Sequence, residues 1–260
     1  MKCTAFLLVD IGNTRLKWSV AAIRVSDPRF AIPIPPESGE ISTAEVTPDF
    51  IQELKKKFSG HHLILASVVP KLVPPFCRAF KRAFHLVTAE STALGLRFDY
   101  PNPSEIGADR LAAAVAVNAE GLWPAIIVAS GTATAFTALD AKGRLCGGVI
   151  APGMEAQLSA LLGATAQLPA TTLQAPQRFL AKSTQEAIRA GLLLNFRGGV
   201  KEIIHQLSKD LSGFRKPQIV VTGGNAPYLA GIPGLRVKLR PLLVFEGLLI
   251  IGRRLYSTNP

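Results

Sequence analysis

Residues 5–20, AFLLVDIGNTRLKWSV, and residues 125–139, AIIVASGTATAFTAL, follow one plan: an apolar run, a turn built on glycine and carrying threonine, then a second run of strand character. Short apolar runs bounded by Gly, Asn and Thr read as buried strands. Gly12-Asn13 suits a tight hairpin between strands at 4–9 and 14–23. A plan used twice implies two related lobes, with the division expected at 1–118 and 119–260.

Between the hairpins the period changes. Helical spacing is expected over Pro48–Phe58, Val73–Phe84, Ala108–Glu120, Met154–Leu162 and, interrupted at Gly198-Gly199, over Thr184–Leu207. A final helix is expected over Pro241–Tyr256, opened by its proline. Further strands are expected over His62–Val69, Ala125–Ala129, Arg144–Ile150 and Gln218–Val221, while Asp27–Thr47, rich in Pro, Ser and Glu, reads as an exposed connection. Hairpin strands mixed with covering helices give an α/β class.

Composition narrows the partners. The longest apolar runs are cut by Asp, Gly or Pro before the ~20 residues a membrane crossing needs, so no membrane association is expected. The N-terminal apolar stretch runs into Asp10 and reads as a first core strand rather than a secretion signal. Cys3, Cys77 and Cys146 are odd in number and far apart, so neither a disulfide framework nor a zinc site is indicated, and a reducing cytoplasm is expected. The formal net charge is +11. Its basic residues are dispersed and not interleaved with aromatics, which favours attraction of nucleotides and acidic metabolites over nucleic-acid binding.

Three glycine-containing loops and one helix start carry the chemistry. In the segment Asp10, Ile11, Gly12, Asn13, Thr14, Arg15, Leu16, Lys17, a strand delivers a carboxylate into a turn whose amides can approach phosphate. Asp10 can hold the Mg²⁺ of ATP, directly or through water, while Asn13, Thr14 and Lys17 reach phosphate oxygens. Ser130–Ala133 leaves the Thr132 hydroxyl for a second phosphate contact, and Gly223-Gly224 suits close approach of an adenine or ribose. In IGADRL, Ile106–Leu111, Asp109 and Arg110 stand at an expected helix start, placed to accept a hydroxyl proton and to bind an anion. Taken singly, each piece also fits an ordinary hairpin, strand turn or helix cap.

Taken in order, DIGNTRLK, Tyr100-Pro101-Asn102, GADR at Gly107–Arg110, GTA at Gly131–Ala133, GGVIAPG at Gly147–Gly153, Thr184 before a helix, and TGGN resemble the type III pantothenate kinases from Asp10 to Gly247. The resemblance implies two ribonuclease-H-like lobes of the actin-like ATPase and sugar kinase superfamily, a homodimer, and transfer of phosphoryl from ATP to pantothenate. It implies that Asp10–Lys17 and Thr132 bind ATP, and that Tyr100, Gly107, Ala108, Asp109, Arg110 and Thr184 hold pantothenate. Asp109 would be the proton acceptor, and residues 10, 109 and 132 would converge on one cleft.

One position departs from the resemblance. The family usually carries Asp two residues before the glycine of the GTA loop, where it binds an activating K⁺ or NH₄⁺; this chain has Ala129. A methyl group cannot coordinate a cation, so a weak or absent potassium requirement is expected. Two alternatives remain at this stage: another small-molecule kinase or phosphatase of the superfamily, and a catalytically weak accessory protein of the same fold that influences gene expression.

Overall fold

The computed structural model describes residues 3–24, 37–211 and 215–256. Contacts divide the chain into two compact units, Met1–Gly121 with Leu242–Pro260, and Leu122–Pro241. The C-terminal helix thus packs with the first unit, whereas the division expected from sequence at 118/119 grouped it with the second.

The first unit is built on β1 (Cys3–Ile11), β2 (Arg15–Arg24), β3 (Ser38–Ser42), α1 (Pro48–Lys57), β4 (His62–Ser67), α2 (Val73–Phe80), β5 (Phe84–Leu86), the short β6 (Arg97–Phe98) and α3 (Ala108–Ala119). Its sheet runs β3-β2-β1-β4-β5, antiparallel through the hairpin and parallel from β1 to β5. Alternation in β1 buries both faces. Leu7, Val9 and Ile11 join Ile51, Leu54, Phe76 and Phe80 of α1 and α2 in one core. Phe6 and Leu8 are fully buried on the opposite face. That explains why the strand reads as a continuous apolar run.

Two sequence expectations change here. Of Asp27–Thr47, residues 27–36 lie outside the described residues, but Ser38–Ser42 is a strand paired with β2 and not a connection. Its Gly39 lies opposite Trp18, whose ring a Cβ would meet at 2.6 Å, so the strand exists to fit its neighbour and not by its own propensity. The second helix stops at Phe80, because Lys81 adopts φ 48° and the chain then turns into β5 beside β4.

The second unit repeats the plan. It contains β7 (Ala125–Ser130), β8 (Ala133–Leu139), β9 (Arg144–Pro152), α4 (Met154–Gly163), α5 (Thr184–Asp210), β10 (Gln218–Thr222) and β11 (Lys238–Leu239). The unit's own strands run β11-β10-β7-β8-β9, with β7–β8–β9 antiparallel and β10 parallel to β7. The core joins Ile126, Val128 and Phe136 to Phe196, Val200 and Ile204 of α5. Those helix residues recur every four positions across Gly198-Gly199, and α5 continues unbroken through the pair. Burial on both sides of the glycines outweighs their intrinsic cost of about 1 kcal/mol each.

The last helix, α6 (Leu243–Tyr256), returns to the first unit. Its first bond is Glu246 N–H to Leu242 O, which leaves Pro241 ahead of the helix rather than at its first position. A Cβ on Gly247 would fall 1.8 Å from Ala112 O, so α6 and the alanine-rich α3 touch backbone to backbone.

Candidate active site

Strand parity places the first carboxylate. With Leu7, Val9 and Ile11 turned to α1 and α2, Phe6, Leu8 and Asp10 share the other face, where Phe6 and Ile64 pack under Gly252 of α6. Asp10 is the last residue of that face before β1 ends, and Lys17 stands opposite it on β2. The turn between them is pinned from outside: Thr43 Oγ1 donates to Gly12 O at 2.7 Å, and Thr43 N–H donates to Thr14 O at 3.0 Å. Ile11 and Leu16 are fully buried and anchor the turn, while Asn13, Thr14 and Arg15 are exposed. Arg15 Nη1 donates to Glu40 Oε1 at 2.6 Å.

The second carboxylate comes from α3. Gly107 enters the helix in an extended conformation, and Asp109 lies in the first turn. Its carboxylate accepts the N–H groups of Arg110 and of Asp109 itself, as an anion at a helix start should. A Cβ on Gly107 would stand 2.7 Å from Asp109 Oδ1 and 3.3 Å from Val68 Cγ1, so the bare glycine gives the carboxyl its place beside the end of β4.

The electrostatics tie these groups together. Burial first, and the negative charge of Asp109 second, push Asp10 up from 3.8 to about 7, against the pull of Lys17. Burial also raises Asp109, opposed by the Arg110 amide and the Arg110 charge. The guanidinium of Arg110 is itself lowered by burial and lies within range of both Asp109 and Tyr100. Five of the residues singled out from sequence, Asp10, Lys17, Tyr100, Asp109 and Arg110, are therefore neighbours within the first unit.

In the second unit, Thr132 occupies a tight turn, exposed, between β7 and β8. One glycine of each later motif packs against this turn: a Cβ on Gly153 would meet Gly131 O at 2.0 Å, and one on Gly223 would meet Ser130 O at 2.2 Å. Gly223 is thus committed to backbone packing, while Gly224 faces open space. Ala129 lies in register between Ala135 and Thr222, and the buried Ser130 Oγ sits 3.4 Å from Thr134 Oγ1. Thr184 opens α5, exposed, behind the N-cap Ser183. It lines an apolar groove of about 650 Å³ between α4 and α5 with Pro152, Gln157, Ile188 and Asn195.

Two residues escaped the reading of the sequence. Thr43 lies in a segment whose composition signals only a connection, and its role depends on a contact 31 positions away. Glu155 carries no motif, yet it reaches Asn225 of TGGN at 3.0 Å across 70 positions.

Comparison with known proteins fits this arrangement. The family model for type III pantothenate kinase matches residues 6–206. A type III pantothenate kinase from Moorella thermoacetica is 38% identical over 262 residues, covering 95% of this chain and 98% of its own. Another from Methylacidiphilum infernorum is 33% identical over 246 residues, covering 95% and 87%. Among solved structures, a Baf family protein from Campylobacter jejuni, described as a transcriptional activator, matches with a TM-score of 0.59 at 18% identity over 95% of this chain and 96% of its own, a likeness of fold alone. A protein from Sinorhizobium meliloti described as a 2-dehydro-3-deoxygalactonokinase matches with a TM-score of 0.55 at 14% identity over 98% of each chain, likewise a likeness of fold alone. With the family model spanning most of the sequence, and with the paired carboxylates standing on the strand end and helix start that carry DIGNTRLK and GADR, the chain belongs to the type III pantothenate kinase family.

Proposed function

We propose that this chain transfers the γ-phosphoryl group of ATP to the primary hydroxyl of pantothenate, giving 4'-phosphopantothenate in the first step of coenzyme A synthesis. The observation that carries the reading is the pair of half-buried, mutually repelling carboxyls at residues 10 and 109, with Arg110 and Tyr100 beside the second.

The two carboxyls divide the work. Burial raises the proton affinity of Asp109, which makes its carboxylate a better acceptor for the hydroxyl proton of pantothenate. Arg110 pairs with the carboxylate of the substrate, and Tyr100, Gly107, Ala108 and Thr184 complete its binding. Asp10 fits a divalent cation: it is a carboxyl held near neutrality by burial and by a second carboxyl, so bound positive charge relieves the repulsion. Mg²⁺ carried by ATP would supply charge neutralisation of the phosphates there. Asn13, Thr14 and Lys17 bind the nucleotide phosphates, and Thr132 adds a nucleotide contact.

The same reading extends to the cation, the assembly and the compartment. The Ala129 side chain offers no oxygen, the Ser130 hydroxyl is buried against Thr134, and the Ser130 and Thr132 carbonyls accept protein N–H groups. This supports activity that depends little on K⁺ or NH₄⁺. The exposed groove between α4 and α5, flanked by Leu161 and Leu194, supports a homodimer through this face. Free thiols at Cys77 and Cys146 support a reducing cytoplasm.

A coupled assay with pantothenate, ATP and Mg²⁺, with a parallel panel of sugars and polyphosphate, tests the proposal. Phosphopantothenate formation is expected. Turnover of a panel substrate in its place would assign the chain to another kinase of the superfamily. Salt-sensitive DNA binding without ATP turnover would favour the accessory role.

A further inference from the structure

The carbonyls of Ser130, Gly131 and Thr132 in the second glycine loop are each held by the protein. Asn225 N–H donates to Ser130 O at 3.1 Å, and Gly153 N–H donates to Thr132 O at 3.0 Å. Between them, Asn225 Nδ2 donates to Gly131 O at 3.2 Å, and the same nitrogen donates to Glu155 Oε2 at 3.0 Å. Both partners of that nitrogen are acceptors, which fixes the amide the way it stands. In a trans peptide the C=O and the following N–H point in opposite directions. Holding the Gly131 carbonyl therefore fixes the orientation of the whole Gly131–Thr132 peptide.

Two of these three carbonyls are held by main-chain amides, whose direction follows from the fold. The middle one depends on a side chain. Asn225 is 5% exposed and could rotate its amide about its last bond, which would set Oδ1 against Gly131 O. What opposes that rotation is Glu155, an exposed residue in the first turn of α4 that accepts the second N–H of the amide. We propose that Glu155 is a positioning residue for nucleotide binding: through Asn225 it locks the orientation of the Gly131–Thr132 peptide in the phosphate loop. The proposal rests on the reading of Ser130–Ala133 as a phosphate loop, and nothing in the family motifs assigns a role to residue 155.

The test measures the dissociation constant for Mg–ATP by calorimetry, together with kcat and KM wherever turnover is found. Glu155→Ala leaves the amide free to rotate, and its affinity for Mg–ATP is expected to fall about five- to twentyfold, the value of one charge-assisted hydrogen bond. KM should carry that loss while kcat changes little, because the contact exists before and during transfer. Glu155→Gln retains an acceptor and should rescue most of the affinity. Asn225→Asp, which cannot donate to Gly131 O, should weaken binding even when combined with Glu155→Gln.

A merely structural role would lower the melting temperature of the nucleotide-free protein. Here that temperature should fall by no more than the loss of one exposed hydrogen bond, and the rise on adding Mg–ATP, which a merely structural role would leave intact, should shrink. Wild-type affinity in Glu155→Ala overturns the proposal. So does an equal loss in Glu155→Gln, or the absence of any Mg–ATP binding in the wild type. If the wild type binds Mg–ATP but leaves pantothenate unphosphorylated, the kinase reading fails while the binding series still decides the role of Glu155.

Discussion

Replacing Asp10 with Asn should make the protein more stable and less active, and the stability gain should grow with pH. An acid raised in the folded state holds its proton there after the unfolded chain has lost it, so the native state binds more protons between the two values. Stability contributed by the protonated form is whole below 3.8 and is lost as pH rises to about 7. Asparagine does not titrate. At about 1.4 kcal/mol per pH unit, the gap between variant and wild type should widen by about 3 kcal/mol from pH 5 to pH 8. Asp10 keeps some contact with water, which trims this toward about 2 kcal/mol. Urea unfolding of both proteins at several pH values, with constant m-values, measures the gap directly. A gap that stays flat with pH, or that shrinks as pH rises, would refute the assignment of Asp10 as a buried carboxyl repelled by Asp109. Loss of Mg–ATP use in the same variant would identify the instability as a cost of function.

Asp109→Asn should lower kcat by about a hundred- to ten-thousandfold with little change in nucleotide affinity, measured by steady-state kinetics and calorimetry, since a base acts in the transition state. Gly107→Ala should reduce kcat while the fold survives, because its methyl would sit 2.7 Å from Asp109 Oδ1 and displace the carboxyl; wild-type turnover would contradict that packing. Thr43→Val removes the bond to Gly12 O and should cost about 1 kcal/mol in denaturant unfolding together with a raised KM for ATP. A titration from zero to saturating KCl or NH₄Cl should change kcat little, and strong activation would show that other oxygens replace the missing carboxylate at Ala129.

The hairpin pair was legible because its signals are local. AFLLVDIGNTRLKWSV and AIIVASGTATAFTAL carry strand, turn and strand within one window, and both hairpins formed as β1–β2 and β7–β8. Asp109 was legible for the same reason, since a helix start is marked by its own first turn. Failures occurred where a distant partner decided the outcome. Ser38–Ser42 has the composition of a loop but lies against the edge of β2, and α5 continues through two glycines because its flanking turns are buried in a core made by three strands. The final helix was visible, but its membership of the first unit depends on Gly247 meeting Ala112, 135 positions earlier, which no local pattern encodes.

By itself, the order of residues determined the repeated architecture, the family to which the chain belongs, and the types of group available for chemistry, because propensity, turn geometry and motif order are carried by neighbours along the chain. Tertiary structure alone decided the properties of those groups. The parity of β1 turns Asp10 toward the face covered by α6 and into range of Asp109, Gly107 lets Asp109 settle beside the end of β4, and Asn225 and Glu155 hold the Gly131 carbonyl. Proton affinity and peptide orientation depend on what lies within a few ångströms in space, and folding brings those neighbours from across the sequence.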